Sequence, residues 1–189
     1  MSINPALESS VKLRVLLAAA AVALGLIAAP AVTSAVSSDP VAAQANSNLS
    51  WSGRKSLTEY VGGPAQVTVS EGATKLKDNV TYDWPFVSSD YNPSTKTGSI
   101  NFKGKVDWWH SGYNFHVVIS NPSIVYKNGV GQLWADVHST LEGQIDSKGR
   151  DAVWDLSGGD TIVTEAGEKL LAFYAKGEKW DPVNYQVAK

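Results

Sequence analysis

From Ile100 to Val137 the chain alternates apolar and polar residues in short runs broken by turn formers, a pattern that few folds accommodate. Ile100, Phe102, Val106 and Trp108 keep one parity across Gly104, as a strand with a bulge or bend would. That run delivers Trp109 and His110 to a turn at Ser111 and Gly112, and the chain returns through Tyr113, Phe115, Val117 and Ile119. A second turn is expected at Asn121 and Pro122, before Ser123 to Tyr126. Lys127, Asn128 and Gly129 then open a hairpin connection into Gln132 to Val137.

The flanks carry the same signal more weakly. Ala65 to Val69 alternate and stop at Glu71 and Gly72. Tyr82, Trp84 and Phe86 share a face, with Pro85 marking an edge or a strand end. Ser88 to Gly98, rich in Ser, Asn, Pro, Thr and Gly, reads as an exposed loop. Downstream, Ala152 to Leu156 reads as a strand, and Glu165 to Tyr174 as a short helix or a helix followed by a strand. Together these runs predict a mainly β chain, an antiparallel β-sandwich or partly open barrel with one or two short helices. Of the seven tryptophans, Trp84, Trp108 and Trp154 are expected in the core.

The first 45 residues stand apart from this pattern. Lys12 and Arg14 precede an apolar run from Val15 to Ala29, Pro30 breaks it, and small residues follow, which is the layout of a secretory signal peptide. Cleavage after Ala35 or after Ala45 fits the small-residue rule. The run is short for an anchor, and no long apolar run follows, so no stable membrane span is expected after removal. Ser37 to Asn48 reads as linker, leaving a single domain over residues 49–187 and a secreted, extracellular or surface-associated product. Removing Glu8, Lys12, Arg14 and Asp39 leaves the net charge at −2, which offers no attraction for nucleic acid or anionic lipid. The absence of cysteine rules out a disulfide framework, a thiolate metal site and a cysteine nucleophile.

Residues able to carry chemistry are few. Ser56 and Tyr60 stand four apart before Gly62 and Gly63, so a short helix would present both from one face. Two plainer roles are open at this point: Ser56 as the N-cap of a capping box with Glu59, and Tyr60 as a packing residue with its hydroxyl at the rim. Among the histidines, His116 falls inside a strand, outward or lining a pocket, and His138 at a strand end. His110 sits at a strand-to-turn junction, where a rigid sheet displays functional groups. No nucleophile elbow, paired carboxylates, His-Glu-x-x-His, phosphate loop or dinucleotide fingerprint is present, so no enzyme is expected.

Several of these positions occur in a family order. Trp51, Ser56, Leu57 and Tyr60, the Gly72-Ala73 turn, Phe102 and Gly104, His110 and Gly112, Ile119 to Pro122, and the closing Phe173, Tyr174, Gly177, Asp181 and Pro182 together resemble the HtaA-type haem-binding domain. This resemblance implies a helix-borne tyrosine on haem iron at Tyr60, a supporting histidine at His110 and a haem-contacting serine at Ser56. It departs at Leu57, where Phe is usual, and at Trp109, where Gly is usual; an indole there would reshape the distal pocket or stack on the porphyrin.

The implied chemistry is self-consistent. A phenol with an ordinary pKa of about 10 needs the iron charge and a neighbouring hydrogen-bond acceptor to bind as phenolate, and the anionic oxygen favours ferric iron. The resemblance therefore implies a secreted protein that captures ferric haem b and passes it from a haem-donor protein to a surface haem receptor or transporter. A carbohydrate-binding sandwich, with exposed indoles stacked on sugar rings, is the alternative expectation.

Overall fold

The computed structural model of this chain describes residues 47–186, so the leader, most of the linker and both candidate cleavage sites lie outside the described residues. In chain order its elements are β1 (Leu49–Trp51), α1 (Lys55–Tyr60), β2 (Val67–Ser70), β3 (Thr74–Lys75), β4 (Tyr82–Trp84), β5 (Phe86–Ser89), β6 (Gly98–Phe102) and β7 (Lys105–His110). There follow β8 (Phe115–Lys127), β9 (Val130–Leu141), β10 (Ile145–Ser157), β11 (Asp160–Val163), α2 (Glu165–Leu171) and β12 (Lys179–Trp180). Mostly antiparallel strands in a curled half-barrel sheet, with two short helices, match the expected class.

The long strand β8 organises the large sheet. Its first half pairs with β7, which pairs in turn with β2, while its second half pairs with β6 and then β5. On its other side β8 meets β9, followed by β10, β11 and β12. One side of a single strand thus serves two partners, and Gly104 is where the switch occurs. Its φ of +120° suits glycine, and a Cβ would stand 2.5 Å from the Ala73 nitrogen.

Opposite Gly104 the sequence expectation needs correcting. Asn121 and Pro122 make no turn; β8 runs through them with a register shift between Ser120 and Ser123. Asn121 adopts φ +48° and donates its N–H to the Gly104 carbonyl at 2.9 Å. A bulge absorbs the proline, which has no N–H to offer a ladder, and the strand continues because β9 holds it on the far side. The hairpin at Asn128 and Gly129 is as expected, both residues having positive φ between the paired Lys127 and Val130. Glu165 to Tyr174 resolves to α2 alone, capped by the Thr164 hydroxyl accepting from the Gly167 N–H at 2.9 Å.

The core fills with indoles. Trp51, Trp84, Trp108 and Trp154 are fully buried and Trp180 nearly so, with Trp51 edge-on to Trp154 at a centroid separation of 4.9 Å. Trp51 and Trp84 come from β1 and β4 of a separate three-stranded sheet, β1-β4-β3, whereas Trp108 and Trp154 come from the large sheet. These contacts fasten the two sheets together, and each indole removes on the order of 200 Å² from water.

Candidate functional site

Helix α1 is seated on the core by its buried face. Gly53, at φ +68°, lets the chain pass over Trp108, because a Cβ there would lie 2.9 Å from the indole Cζ2. Leu57 and Thr58 are buried beneath the helix, and Trp108 Nε1 donates to Thr58 Oγ1 at 3.0 Å. The opposite face carries Ser56 and Tyr60, both exposed. Helix phase thus turns one hydroxyl toward the core and the other two outward. Thr58→Val is expected to destabilise the fold by about 1–3 kcal/mol, the cost of leaving a buried indole N–H without its partner. Urea melts of the two proteins measure it.

Ser56 is not the N-cap. Arg54 occupies that position without a capping side chain, Ser56 lies inside the helix, and Ser56 Oγ accepts from Arg54 Nε at 3.0 Å. The glycine stop holds: Gly62 and Gly63 take φ of +100° and +98°, and the Gly63 N–H donates to the Thr58 carbonyl at 2.8 Å.

Tyr60 stands at the end of the β7–β8 hairpin. Its ring lies 5.4 Å from that of His110 and 5.2 Å, edge-on, from that of Phe115, and it is 51% exposed. His110 and Phe115 are register partners across the hairpin, so the turn that follows His110 sets both against the helix. Phe115 in turn packs on Phe173 at 4.7 Å. The phenol oxygen of Tyr60 has no hydrogen-bond partner among the described residues.

The imidazole of His110 is held by its own turn. The Gly112 N–H donates to His110 Nδ1 at 3.2 Å, so the neutral ring carries its proton on Nε2. Tyr113, expected in the strand, instead forms the turn with Ser111 and Gly112, and its exposed ring lies 5.0 Å from His110. Asn114 closes that turn in the left-handed region at φ +43°, which displaces Tyr113 from the strand's parity.

Trp109 points away from this group. It lies on the other face of β7, stacked on His116 at 5.9 Å and 18°, while His116 Nδ1 lies 2.9 Å from Asp107 Oδ1. The departure at Trp109 therefore leaves the Tyr60 side untouched, as alternation along a strand requires. Leu57 is likewise buried under α1. His138 is not at a strand end but within β9, its Nε2 2.8 Å from Asp146 Oδ1.

Three residues on this side of the fold have no site role in the sequence reading: Phe115, the edge-on neighbour of Tyr60, with Tyr174 and Arg54. Burial, opposed by the nearby Arg54 charge, pushes the Tyr174 phenol up to about 12, and Tyr60 is among the groups that bear on it. Tyr174 is therefore the more buried of the two phenols, and Tyr60 is the one whose ring is exposed to solvent. The Arg54 guanidinium lies 5.0 Å over the Tyr174 ring. The side chains around Tyr60 form an open shelf with an apolar wall of Phe115 and Phe173, an exposed phenol and the Arg54 cation beside Tyr174. No group of three or more His, Asp or Glu side chains able to hold a bare metal ion occurs among the described residues.

Among solved structures the chain is similar to the C-terminal domain of HtaA from Corynebacterium glutamicum, with 22% identity and a TM-score of 0.63 over 74% of this chain and 94% of that one. It is also similar to the N-terminal domain of the same protein, with 20% identity and a TM-score of 0.58 over 75% and 95%. A third similar structure is the haem-binding protein HtaB from that organism, with 18% identity and a TM-score of 0.56 over 74% and 91%. Among curated proteins none matches. A family model described as Htaa matches residues 46–186, which span both sheets, both helices and the Tyr60 shelf, and the chain belongs to the HtaA family.

Proposed function

We propose that this protein binds ferric haem through the Tyr60 phenolate, with His110 supporting that oxygen and Ser56 contacting the haem, and passes it on in iron uptake outside the cytoplasm. The carrying observation is the Tyr60–His110 pair: two rings 5.4 Å apart on an open shelf, the phenol free of other partners. Family membership and the likeness to the haem-binding HtaB support the reading. The tautomer changes the part expected of His110 from accepting a hydrogen bond from the phenol to donating one. A ring whose Nδ1 already accepts from Gly112 has an Nε2–H to donate, and donation suits a phenolate oxygen better than a phenol.

Bound haem would bring a ferric Lewis acid that holds the phenolate in its deprotonated form. Tyr60 supplies the oxygen, His110 steadies it, and Phe115 with Phe173 forms the apolar wall that keeps water back. An anionic oxygen prefers ferric to ferrous iron, so reduction loosens the hold, which suits a carrier that must release its load to a receptor or transporter. The leader-like segment before residue 46 supports placing that carrier outside the cytoplasm.

Titrating the purified protein with haemin tests this reading. Saturable growth of a Soret band with ferric high-spin features is expected, and a spectrum no different from free haemin would sink the proposal. No observation favours the carbohydrate alternative: five of the seven indoles are buried in the core, Trp134 is half-buried, and the exposed face of Trp109 is stacked on His116.

A further inference from the structure

Arg54 stands at the edge of the Tyr60 shelf with more hydrogen-bonding capacity than it uses. Its Nε donates to Ser56 Oγ at 3.0 Å and its Nη1 to Glu178 Oε2 at 2.5 Å. A guanidinium has five N–H groups, and Nη2 has no partner among the described residues. The Arg54 side chain is 29% exposed, so this unused edge is reachable. Because Ser56 Oγ accepts from Arg54, its own O–H is left to donate. Arg54 Nη2 and the Ser56 hydroxyl are thus two unused donors on neighbouring side chains at the start of α1, with Ser56 on the Tyr60 face.

Glu178 occupies the cation in the absence of any other anion. Its carboxylate also accepts the Ala175 N–H at 3.0 Å, which anchors it in the turn after α2. Hydrogen bonding from Arg54, then from Ala175, holds the carboxyl below the usual range, so it stays charged in neutral solution. Any second carboxylate arriving at Arg54 must share the guanidinium with Glu178 or displace it. Arginine meets carboxylates in a planar two-point geometry, so a shared guanidinium binds each more weakly than a free one.

We infer that Arg54, with Ser56, is the receptor for a carboxylate side chain of the bound porphyrin, and that Glu178 is an internal competitor that lowers the affinity of that contact. This rests on the haem reading above and adds to it a selectivity for carboxylated porphyrins and a built-in limit on how tightly they are held. A carrier gains from such a limit, because every factor in affinity slows release.

The test titrates the full protein with haemin and with haemin dimethyl ester, which keeps the iron and macrocycle but lacks free carboxylates. Wild type is expected to bind haemin about ten-fold more tightly than the ester, the lower end for a hydrogen bond to a charged group at a partly exposed site. Arg54→Gln should lose that margin while keeping ester binding, which also shows that its fold is intact. Glu178→Gln should tighten haemin by about two- to five-fold, the range of a partly exposed ion pair, and leave the ester unchanged. Equal affinity of wild type for the two ligands overturns this inference alone, as does an undiminished margin in Arg54→Gln or weaker haemin binding in Glu178→Gln. Failure of wild type to bind either ligand overturns the haem reading and this inference with it.

Discussion

Tyr60→Phe is expected to lose haemin by more than about 100-fold in affinity, beyond the range for removing an outer partner of a metal ligand. The substitution is chosen because it takes away one atom. The phenylalanine ring still packs edge-on to Phe115 and beside His110, and α1 remains seated through Leu57 and Thr58, so stability should be unchanged. What disappears is the oxygen proposed to meet the iron. Tyr126→Phe is the matched control, since that hydroxyl is bonded to Tyr185 at the far end of β8 and has no part in the shelf. Equal losses in the two variants would mean that iron is held elsewhere. Tyr113→Ala is not a neutral control, because its ring rests against His110. It should fall between them.

Local rules made much of the architecture readable. Alternation from Ile100 to Trp108 places four side chains on the buried face because strand parity survives the bend at Gly104, and all four are buried. The Asn128-Gly129 hairpin was legible for a similar reason: both residues tolerate positive φ, and the turn needs it twice. Asn121-Pro122 misled because its residues are those of a turn. Whether such a pair ends a strand or bulges it depends on the partners on either side, and the register shift that sets Asp136 and Trp134 opposite Ser120 and Ser123 is not written in the pair itself.

The shelf was legible in part for the same reasons. Spacing alone puts Ser56 and Tyr60 on one helix face, and the strand-to-turn position of His110 marks it as displayed. That His110 meets Tyr60 is a contact across fifty residues that no local pattern encodes, and the family order supplied it. Tyr113 left the strand because one residue, Asn114, took a left-handed conformation; Asn is among the few residues that do so readily, a signal present but easily passed over beside Ser111 and Gly112. Arg54 carried no signal at all, since its role depends on Glu178 and Tyr174, which reach it from beyond α2.

His110→Ala should weaken haemin binding by about 10- to 100-fold, less than the loss of Tyr60, because on the proposed reading it removes the partner of the iron ligand and not the ligand. The ferric spectrum should persist with shifted charge-transfer features, since a phenolate that loses a hydrogen bond gives more electron density to iron. The substitution also deprives the Gly112 N–H of its acceptor and Tyr113 of its neighbour, which loosens the β7–β8 turn. His110→Gln separates support from mere packing: its amide has both an oxygen to accept from Gly112 and an N–H to donate, and it should recover part of the affinity that alanine loses. A space-filling role would predict no such difference in the spectrum. Unchanged affinity and spectrum in His110→Ala would remove His110 from the site, and a low-spin spectrum in the wild type would mean that the imidazole binds iron itself.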